Sequence, residues 1–271
     1  METYSIELAA ELGGIVDLSV LPLAGRSGGR PPSLLALAAF LVRSAFYLLW
    51  RRWQFEVVHF GDLVLFPLAF WHGLVAPRAS RFVTVHGLDL LYGNRKGFKP
   101  AIYRRFVAWA ARRRCVNGFL ANSRNTADIA TRFGFAPVEV VPLGVRIPEN
   151  KPPEPRSSAT PYVLFIGRIV KRKGAAWFAE NVLPLLPGDV EFHVAGKAWD
   201  TDEEARLKRA PGVKLHGYAP DDELERLMVG ARVIVMPNLR SADASDVEGF
   251  GLVALEAAIS GTPLVAASID G

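Results

Sequence analysis

The sequence is poor in the residues that build disulfides and metal sites. It contains one cysteine, Cys115, so no intramolecular disulfide can form and a reducing compartment is expected. A buried bystander thiol beside Arg112–Arg114 is favoured over a reactive one. There are five histidines, and neither they nor Cys115 show metal-ligand spacing. Met1 opens an acidic amphipathic stretch, not a basic and then apolar run, which predicts a cytoplasmic protein without a secretory signal.

Long apolar runs are also missing, since a membrane-spanning helix needs about 20 apolar residues. The most apolar stretch, Ser33–Trp50, is shorter and carries Arg43 at its centre, so it is not expected to cross a membrane. A helix packed on the sheet of an N-terminal domain is the favoured interpretation. The alternative is a helix in a membrane interface, because Trp50–Trp53 would suit the headgroup region at the inner face of a membrane.

The remaining composition is typical of an α/β protein with two domains. Half of the residues are apolar, which is enough for sizeable cores. The proline-rich segment 151–161 is predicted to link an N-terminal domain, residues 1–150, to a C-terminal domain, residues 162–271. Strands are predicted at Val57–His59, Arg81–Val85, Gly118–Ala121, Val138–Val141, Tyr162–Ile166, Glu191–Ala195, Lys214–His216, Arg232–Met236 and Pro263–Ala267. Their alternation with helices predicts two Rossmann-like parallel sheets with both faces covered.

Charge is distributed unevenly along the chain. Residues 1–150 carry 18 Lys and Arg against 10 Asp and Glu, a net +8, whereas residues 151–271 carry 14 against 17, a net −3. Aromatic residues lie among the basic clusters of the first part: Trp53, Tyr92, Phe98, Tyr103 and Trp109. This mixture suits an anionic membrane surface or an anionic acceptor, and a solvated basic face is the alternative. No nucleic acid is expected as a partner, because no recognition motif accompanies the charge.

The most informative stretch lies near the C-terminal end. Glu248 begins a Glu-Gly-Phe-Gly sequence, and Glu256 follows after seven intervening residues. A buried strand is predicted upstream, and Gly249–Ser260 is predicted to be a helix. Glycines at a helix start expose backbone N–H groups that favour a phosphate. Eight residues of helix rise about 12 Å, which roughly matches the span from a sugar across a diphosphate to a ribose. Two glutamates on a solvated helix face are the alternative.

A second segment also indicates a nucleotide-diphosphate sugar. The predicted strand Tyr162–Ile166 runs into a short loop that carries Arg168 and Lys173, and a helix is predicted over Ala175–Leu186. A strand, a basic glycine-containing loop and a helix form a phosphate-binding arrangement in α/β folds. Each segment alone is common, but their occurrence in order within one domain is much harder to obtain by chance.

The histidines differ in their expected roles. His86 directly follows the predicted strand Arg81–Val85, and the carboxyl ends of strands are where α/β sites are found. A functional role is therefore favoured over that of a satisfied loop histidine. The other four lie in or beside apolar runs and are expected to be structural: His59, His72, His193 and His216.

The acidic residues before the glycine pair do not form a metal-binding Asp-x-Asp motif. Asp243 and Asp246 are separated by two residues, and Glu248 follows Asp246 after one. Arg168 and Lys173 can supply the positive charge that a metal would bring to a diphosphate leaving group. The sequence therefore predicts chemistry without a metal and without a cofactor.

With these motifs in order, the chain resembles a retaining glycosyltransferase of family 4 over nearly its whole length. The segments that carry the resemblance are Gly167-Arg168, Lys173-Gly174, Glu248–Gly251 with Glu256, His86-Gly87 and, more weakly, Asn122-Ser123 and Pro142–Val145. Arg146 departs from the pattern, because family members often carry Asp after Gly-Val. The resemblance implies the GT-B fold, in which two Rossmann-like domains face each other across a cleft that holds the donor.

The resemblance also implies roles for the candidate residues. Glu248 would hold hydroxyls of the donor sugar and His86 would face that sugar from the other domain, so these two are the catalytic candidates. Glu256 would bind the ribose, and Arg168 with Lys173 would bind the diphosphate. The remaining nucleotide-binding candidates surround the glycine pair: Gly249, Phe250, Gly251 and Leu252.

The implied reaction moves a sugar from a UDP-, GDP- or ADP-sugar to a carbohydrate or lipid-linked acceptor with retention of configuration. The departing phosphate would take the acceptor proton in a front-face attack, because no residue stands out as a covalent nucleophile. The basic, aromatic N-terminal domain favours surface polysaccharide or glycolipid synthesis. A sugar-nucleotide epimerase on the same fold and a non-catalytic fragment are the alternatives.

The two ends of the chain bear on that last alternative. A strand and a Gly-Gly loop usually precede the first helix of the family, whereas this chain opens directly with a predicted amphipathic helix, Met1–Leu12. Further strand and helix units usually follow the last predicted strand, Pro263–Ala267. A fragment truncated at both ends is therefore expected, with a natural minimal enzyme as the alternative, although that would leave a sheet edge uncovered.

Overall fold

A computed structural model describes residues 2–23, 32–145, 147, 160–240 and 250–269 of the chain. They form two compact units, Met1–Leu143 and Gly144–Asp270. The predicted linker, residues 151–161, falls almost entirely outside the described residues, so the predicted domain division stays a prediction.

The first unit contains a parallel sheet of four described strands in the order β1-β2-β3-β4. Its elements are α1 (Glu2–Gly13), α2 (Leu34–Trp50), β1 (Val57–Phe60), α3 (Phe66–Val75), β2 (Ser80–Val85), α4 (Leu88–Leu91), α5 (Phe98–Ala111), β3 (Gly118–Ala121), α6 (Arg124–Arg132) and β4 (Val138–Val140). Successive strands are neighbours, and crossover connections in parallel sheets are right-handed. The connecting helices α3, α5 and α6 therefore lie on the same face of the sheet.

Aromatic packing joins that helical layer to the sheet. The fully buried ring of Phe66 on α3 meets Trp109 on α5 edge-on, with centroids 5.4 Å apart. The same ring stacks on Phe119 of β3 at 6.2 Å. Such pairs add to the free energy gained by burying their area. The core of this unit thus forms where α3 and α5 cover the central strands.

Helix α2, which was predicted to pack on the sheet, has a helix as its main described neighbour. Ser33 accepts a hydrogen bond from the backbone N–H of Ala36 at 3.1 Å and so caps the helix. The helix packs against α3, where the indole N–H of Trp71 donates to the carbonyl oxygen of Ala45 at 3.2 Å. The sequence predicted an apolar helix, but it did not predict which neighbouring element covers that helix. Among the helices that the structure describes, none has the length and apolar character to cross a bilayer.

The second unit contains a parallel sheet of five described strands in the order β7-β6-β5-β8-β9. Its elements are β5 (Tyr162–Ile166), α7 (Ala175–Asn181), β6 (Glu191–Ala195), α8 (Thr201–Arg209), β7 (Val213–Gly217), α9 (Asp221–Gly230), β8 (Val233–Met236), α10 (Leu252–Ser260) and β9 (Leu264–Ala266). The strands agree with the predicted ones to within a residue or two at their ends. Their parallel pairing confirms the predicted α/β class.

Strand β5 is buried on both faces. Phe165 packs on one face with residues of α7 and α8, whereas Leu164 packs on the other with residues of α9 and α10. Both side chains are almost inaccessible to solvent. Burial on both faces explains why β5 is a continuous apolar run and does not alternate with polar residues.

Two predicted helices have different bounds in the structure. The helix expected over Ala175–Leu186 ends at Asn181, and a short 3₁₀ turn follows at Leu183–Leu185. Pro184 lacks a backbone N–H and so cannot continue the α-helix. The helix expected from Gly249 begins only at Leu252, because Gly251 is left-handed, with φ +82°. The prediction of a continuous helix of about 12 Å from Glu248 to Glu256 was therefore wrong, since the described residues Phe250 and Gly251 are not helical and Leu252–Glu256 rises about 6 Å.

The two faces of β5 make a direct test of the core possible. Leu164→Ala should lower the free energy of unfolding of the second unit by about 2–5 kcal/mol, because it opens a cavity at a fully buried position. Leu185→Ala is the control, because that leucine is 81% exposed. Its truncation should lower the free energy of unfolding by about 0.5 kcal/mol or less, as at other surface positions. Urea unfolding of both variants measures the difference, and equal losses would contradict the described core.

Candidate functional site

The strand order of the second sheet marks a candidate binding point. The chain proceeds from β5 to β6 and β7 on one side, and then returns to the other side of β5 as β8. In open parallel sheets, ligands bind beyond the carboxyl ends of the strands where the order reverses in this way. Here that point lies between the ends of β5 and β8.

The loop after β5 brings positive charge to this point. Gly167 leaves the strand with φ +146°, and exposed Arg168 follows it. A 3₁₀ turn, Lys171–Lys173, then leads into Gly174, whose left-handed backbone begins α7. Lys173 is half-buried in this turn. The predicted basic loop between a strand and a helix is therefore present.

Close backbone contacts fix this loop to its neighbours. A Cβ atom at Gly174 would collide with the carbonyl oxygen of Pro237 in the loop after β8. The N–H of Leu239 in the same loop donates to the carbonyl oxygen of Arg172 at 2.7 Å. On the other side, a Cβ atom at Gly196 would collide with the carbonyl oxygen of Gly167. The loops after β5, β6 and β8 thus form one connected edge.

Helix α10 supplies the second half of the candidate site. Its cap, Gly251, is buried, and a Cβ atom there would lie 3.1 Å from the Met236 side chain at the end of β8. The N–H groups of Leu252 and its successor in the first turn have no acceptor within the helix. Phe250 is half-buried directly before the cap. Glu248 and Gly249 lie outside the described residues, and so does Arg146.

Glu256 lies one turn further along α10 and is half-buried. Burial raises the pKa of its carboxyl group, and repulsion from Asp221 at the start of α9 raises it further. Both effects penalise the charged form. Hydrogen-bond donors from a ligand would offset that penalty, as ribose hydroxyls could do.

Aromatic residues at the same edge were missed by the sequence analysis. The Arg168 guanidinium lies over the ring of Trp199, 5.3 Å from its centroid, and Lys197 lies over the ring of Tyr218 at 5.1 Å. Both rings are more than half exposed. Each follows the carboxyl end of a strand, β6 or β7, and this position in the sequence was the signal that could have identified them.

His86 lies where the sequence placed it, directly after β2, and it is buried. Its Nε2–H donates to the carbonyl oxygen of Gly61 at 2.9 Å. A carbonyl oxygen can only accept, so Nε2 carries the proton and Nδ1 carries the lone pair of the neutral ring. Burial lowers the pKa of His86, while the Gly61 carbonyl and Asp62 partly oppose this effect. The ring is therefore favoured in its neutral form.

Asp89 organises the loop that contains His86. Its two carboxylate oxygens accept from the backbone N–H of His86 at 3.0 and 3.1 Å, and one of them also accepts from the N–H of Leu90. Although part of its surface remains exposed, burial and then repulsion from Asp62 raise its pKa to about 7. Burial and these carboxylates also raise the pKa of Tyr103. Asp89, which lies three residues after His86, was not among the site residues predicted from the sequence.

The other histidines make contacts within their own units. His59 contacts the Thr84 hydroxyl at 2.7 Å, and His193 stacks on Tyr162 with centroids 4.0 Å apart. In the parts of the chain that the structure describes, no three His, Cys, Asp or Glu side chains form a group that could hold a metal ion. Asp243 and Asp246 lie outside those parts, so metal independence stays a prediction.

Family models match both units. The model for Glycosyltransferase Family 4 matches residues 5–147, and the model for glycosyl transferases group 1 matches residues 160–271. The chain belongs to glycosyltransferase family 4. This confirms the resemblance that the motifs indicated.

Curated relatives of this family 4 chain match most of its length. It is 29% identical to a glycogen synthase of Mycobacterium tuberculosis over 247 residues, which cover 82% of this chain and 54% of that protein. It is 26% identical to an MMP alpha-(1->4)-mannosyltransferase of Mycolicibacterium hassiacum, over 98% of this chain and 65% of the relative. The chain thus spans between half and two thirds of the length of these relatives.

Solved structures show the fold of this family 4 chain. Anabaena HepE in complex with UDP and glucose superposes with a TM-score of 0.64 at 18% identity, over 89% of this chain and 65% of that one. Sucrose-phosphate synthase from Thermosynechococcus elongatus gives a TM-score of 0.68 at 16% identity, over 94% and 68%. Together with the two parallel sheets, these similarities confirm the predicted GT-B fold.

The raised pKa of Asp89 predicts a pH dependence of stability. The folded state holds this proton up to about pH 7, whereas the unfolded chain releases it near 3.8. The contribution of protonated Asp89 is therefore present below about pH 3.8 and is lost as the pH rises towards 7. Asp89→Asn resembles the protonated form, so the stability of this variant relative to wild type should increase over this interval and stay constant above it.

Urea unfolding of both proteins across this pH range measures the difference. Asp128→Asn, at an exposed position on α6, controls for the loss of one carboxylate from the same unit. Parallel pH profiles for wild type and Asp89→Asn would show that folding does not raise the pKa of Asp89, contrary to this prediction.

Proposed function

We propose that this family 4 chain transfers a sugar from a nucleotide-diphosphate sugar to a carbohydrate or lipid-linked acceptor, with retention and without a metal. The observation that carries the proposal is the basic loop after β5, held against the loop after β8 where the strand order reverses. The donor classes considered are UDP-, GDP- and ADP-sugars. The biological role proposed is surface polysaccharide or glycolipid synthesis.

The diphosphate is the part of the donor that this edge suits best. Arg168 and Lys173 lie on one loop, and the first turn of α10 offers backbone N–H groups from the loop after β8. Fixed cations and dipoles stabilise the charge that develops on the leaving oxygen without a reorganisation cost. We assign the amides around Gly249 and Gly251 to the same task on the basis of the sequence motif.

The ribose is assigned to Glu256. Burial and Asp221 disfavour its ionised form, and hydroxyl donors from a ribose would favour it. The exposed rings of Trp199 and Tyr218 offer flat apolar surfaces at the same edge, where a base or sugar ring can lie. This arrangement provides the acceptor for the ribose and the surface for a ring in one unit.

The reacting sugar is assigned to Glu248 and His86. Glu248 would hold its hydroxyls and stabilise developing positive charge, and His86 would contact it as a neutral ring. The departing phosphate would accept the proton of the attacking hydroxyl, so that attack and departure occur on the same face and configuration is retained. No covalent nucleophile is invoked.

The names of the relatives support a nucleotide-sugar donor. They include a mannosyltransferase, a glycogen synthase and a structure with UDP and glucose bound. An Erwinia amylovora amylovoran biosynthesis glycosyltransferase is 30% identical over 118 residues, 40% of this chain, which supports a glycosyltransferase of a biosynthetic pathway. These matches do not favour the alternatives of a sugar-nucleotide epimerase or a non-catalytic fragment.

Titration with UDP, GDP and ADP tests the proposal. One nucleotide should stabilise the protein against thermal unfolding more than the other two, by about 2.7 kcal/mol at a hundredfold excess over its Kd. Thermal unfolding followed by circular dichroism measures the shift. If none of the three nucleotides stabilises the protein against thermal unfolding, the assignment of a donor site to residues 1–271 is contradicted.

Two variants separate binding from transfer. Glu248→Ala should abolish transfer but weaken nucleotide binding only modestly, because this residue is assigned to the sugar. Lys173→Ala should reduce both, with a loss in kcat of about 10²–10³-fold, comparable to removal of one group that stabilises a developing charge. Transfer assays and nucleotide titrations of the same preparations provide both readouts.

Lys171→Ala is the matched control, because Lys171 belongs to the same 3₁₀ turn but is exposed. It should leave transfer and nucleotide binding unchanged. Full transfer activity in either Glu248→Ala or Lys173→Ala would refute the assigned roles. If Lys171→Ala loses as much activity as Lys173→Ala, the loss reflects a change in net charge and not a specific role of Lys173.

A further inference from the structure

A shallow groove on the first unit is lined by residues other than those of the candidate site. It has a volume of about 460 Å³ and is lined by Arg105, Ala108, Trp109, Arg112 and Arg113, all on α5 or directly after it. The Arg113 guanidinium lies over the Phe70 ring at 5.5 Å and over the Trp109 ring at 5.6 Å. Phe70 and Trp109 themselves meet at 5.5 Å. Aromatic packing between α3 and α5 thus fixes the wall of the groove.

The groove carries positive charge without a compensating carboxylate. Within the described parts of the chain, Arg105, Arg112 and Arg113 form no ion pair, whereas Arg206 and Arg226 of the second unit do. A helix C-terminus favours cations, which accounts for the position of Arg112 and Arg113. It does not account for Arg105, which lies near the middle of α5. Three neighbouring guanidinium groups therefore favour an anionic ligand.

The position of the groove separates it from the reacting groups. Helix α5 runs from the carboxyl end of β2, where His86 lies, back to the amino end of β3. Its 14 residues rise about 21 Å. Arg112 and Arg113 consequently lie at the edge of the sheet opposite His86. An anion held there is not positioned for transfer.

The exposed stripe of α5 indicates which anion the groove fits. Residues at positions i, i+4, i+7, i+11 and i+14 lie on one face of a helix, and on α5 and its C-cap these are Phe98, Ile102, Arg105, Trp109 and Arg112. Phe98 is 81% exposed and Ile102 is 51% exposed. A free phosphate would need the arginines but not these apolar side chains. A bilayer surface uses both, with cations at the phosphates and apolar side chains at the acyl boundary.

We propose that the α5 stripe and its arginine groove bind the phosphate headgroups of an anionic phospholipid bilayer and hold this unit at the membrane surface. The inference does not depend on the proposed donor chemistry, because its residues lie on another element. Net positive charge in the first 150 residues complements such a surface.

Vesicle co-sedimentation tests this proposal. The protein should bind phosphatidylcholine vesicles that contain phosphatidylglycerol, and binding to phosphatidylcholine alone should be much weaker. The triple variant Arg105→Gln, Arg112→Gln and Arg113→Gln should bind about 100-fold more weakly, since each basic residue near an anionic surface contributes about fivefold. Replacement of the same three residues by Lys keeps the charge and should retain most of the binding.

A matched control removes three charges elsewhere. Arg209→Gln, Arg226→Gln and Arg232→Gln change exposed arginines of the second unit and should leave vesicle binding unchanged. Equal loss in both triple variants would overturn the proposal in favour of net charge. A double variant, Phe98→Ser with Ile102→Ser, should also weaken vesicle binding.

Two further outcomes would refute a bilayer as the ligand. If inorganic phosphate displaces the protein from vesicles and the Phe98/Ile102 variant binds as wild type does, the groove is a site for a free phosphate. If the wild-type protein does not bind phosphatidylglycerol vesicles at low ionic strength, the stripe is not a membrane surface. Thermal unfolding of each variant, with and without nucleotide, separates these results from misfolding and from failure of the donor site.

Discussion

Close contact between backbones at the carboxyl edge of the second sheet is the constraint on which the candidate donor site depends. Gly174 lies against Pro237, and Gly196 lies against Gly167, at distances that leave no room for a side chain. These contacts set the loop after β5 between the loops after β6 and β8. Main-chain packing therefore determines the backbone positions of Arg168 and Lys173, and their long cationic side chains extend from there at the carboxyl edge of the sheet.

In the first unit, the main constraint acts on His86, a neutral histidine at the end of a strand. Two groups hold His86 in place: the Gly61 carbonyl oxygen accepts from the ring, and the side-chain carboxylate of Asp89 accepts from the backbone N–H of His86. Asp89 is itself partly dehydrated and lies near Asp62, which makes its charge costly. The loop thus positions the His86 ring through hydrogen bonds, one set of which comes from Asp89, a carboxyl group with a pKa of about 7.

Much of this could be predicted from the sequence because strands buried on both faces produce continuous apolar runs. Strands such as β5 and β6 were therefore located to the residue, and the parallel α/β class followed. Helix ends were less predictable, since Pro184 and left-handed Gly251 act through local backbone geometry. The neighbour of α2 could not be predicted, because the apolar character of a helix shows that it is covered but not which element covers it. Trp199 and Tyr218 were missed since single exposed aromatics form no motif.

The distribution of charge connects these features. In the second unit, the described arginines Arg206 and Arg226 are paired with carboxylates. The α5 groove of the first unit has no such partner among the described residues, and its cations lie beside exposed apolar side chains. Charge that stabilises neither a helix pair nor a carboxylate carries a repulsive cost, which an anionic surface would offset. Because Arg112 and Arg113 lie at the edge of the sheet opposite His86, the phosphates that they bind would lie away from the carboxyl edge.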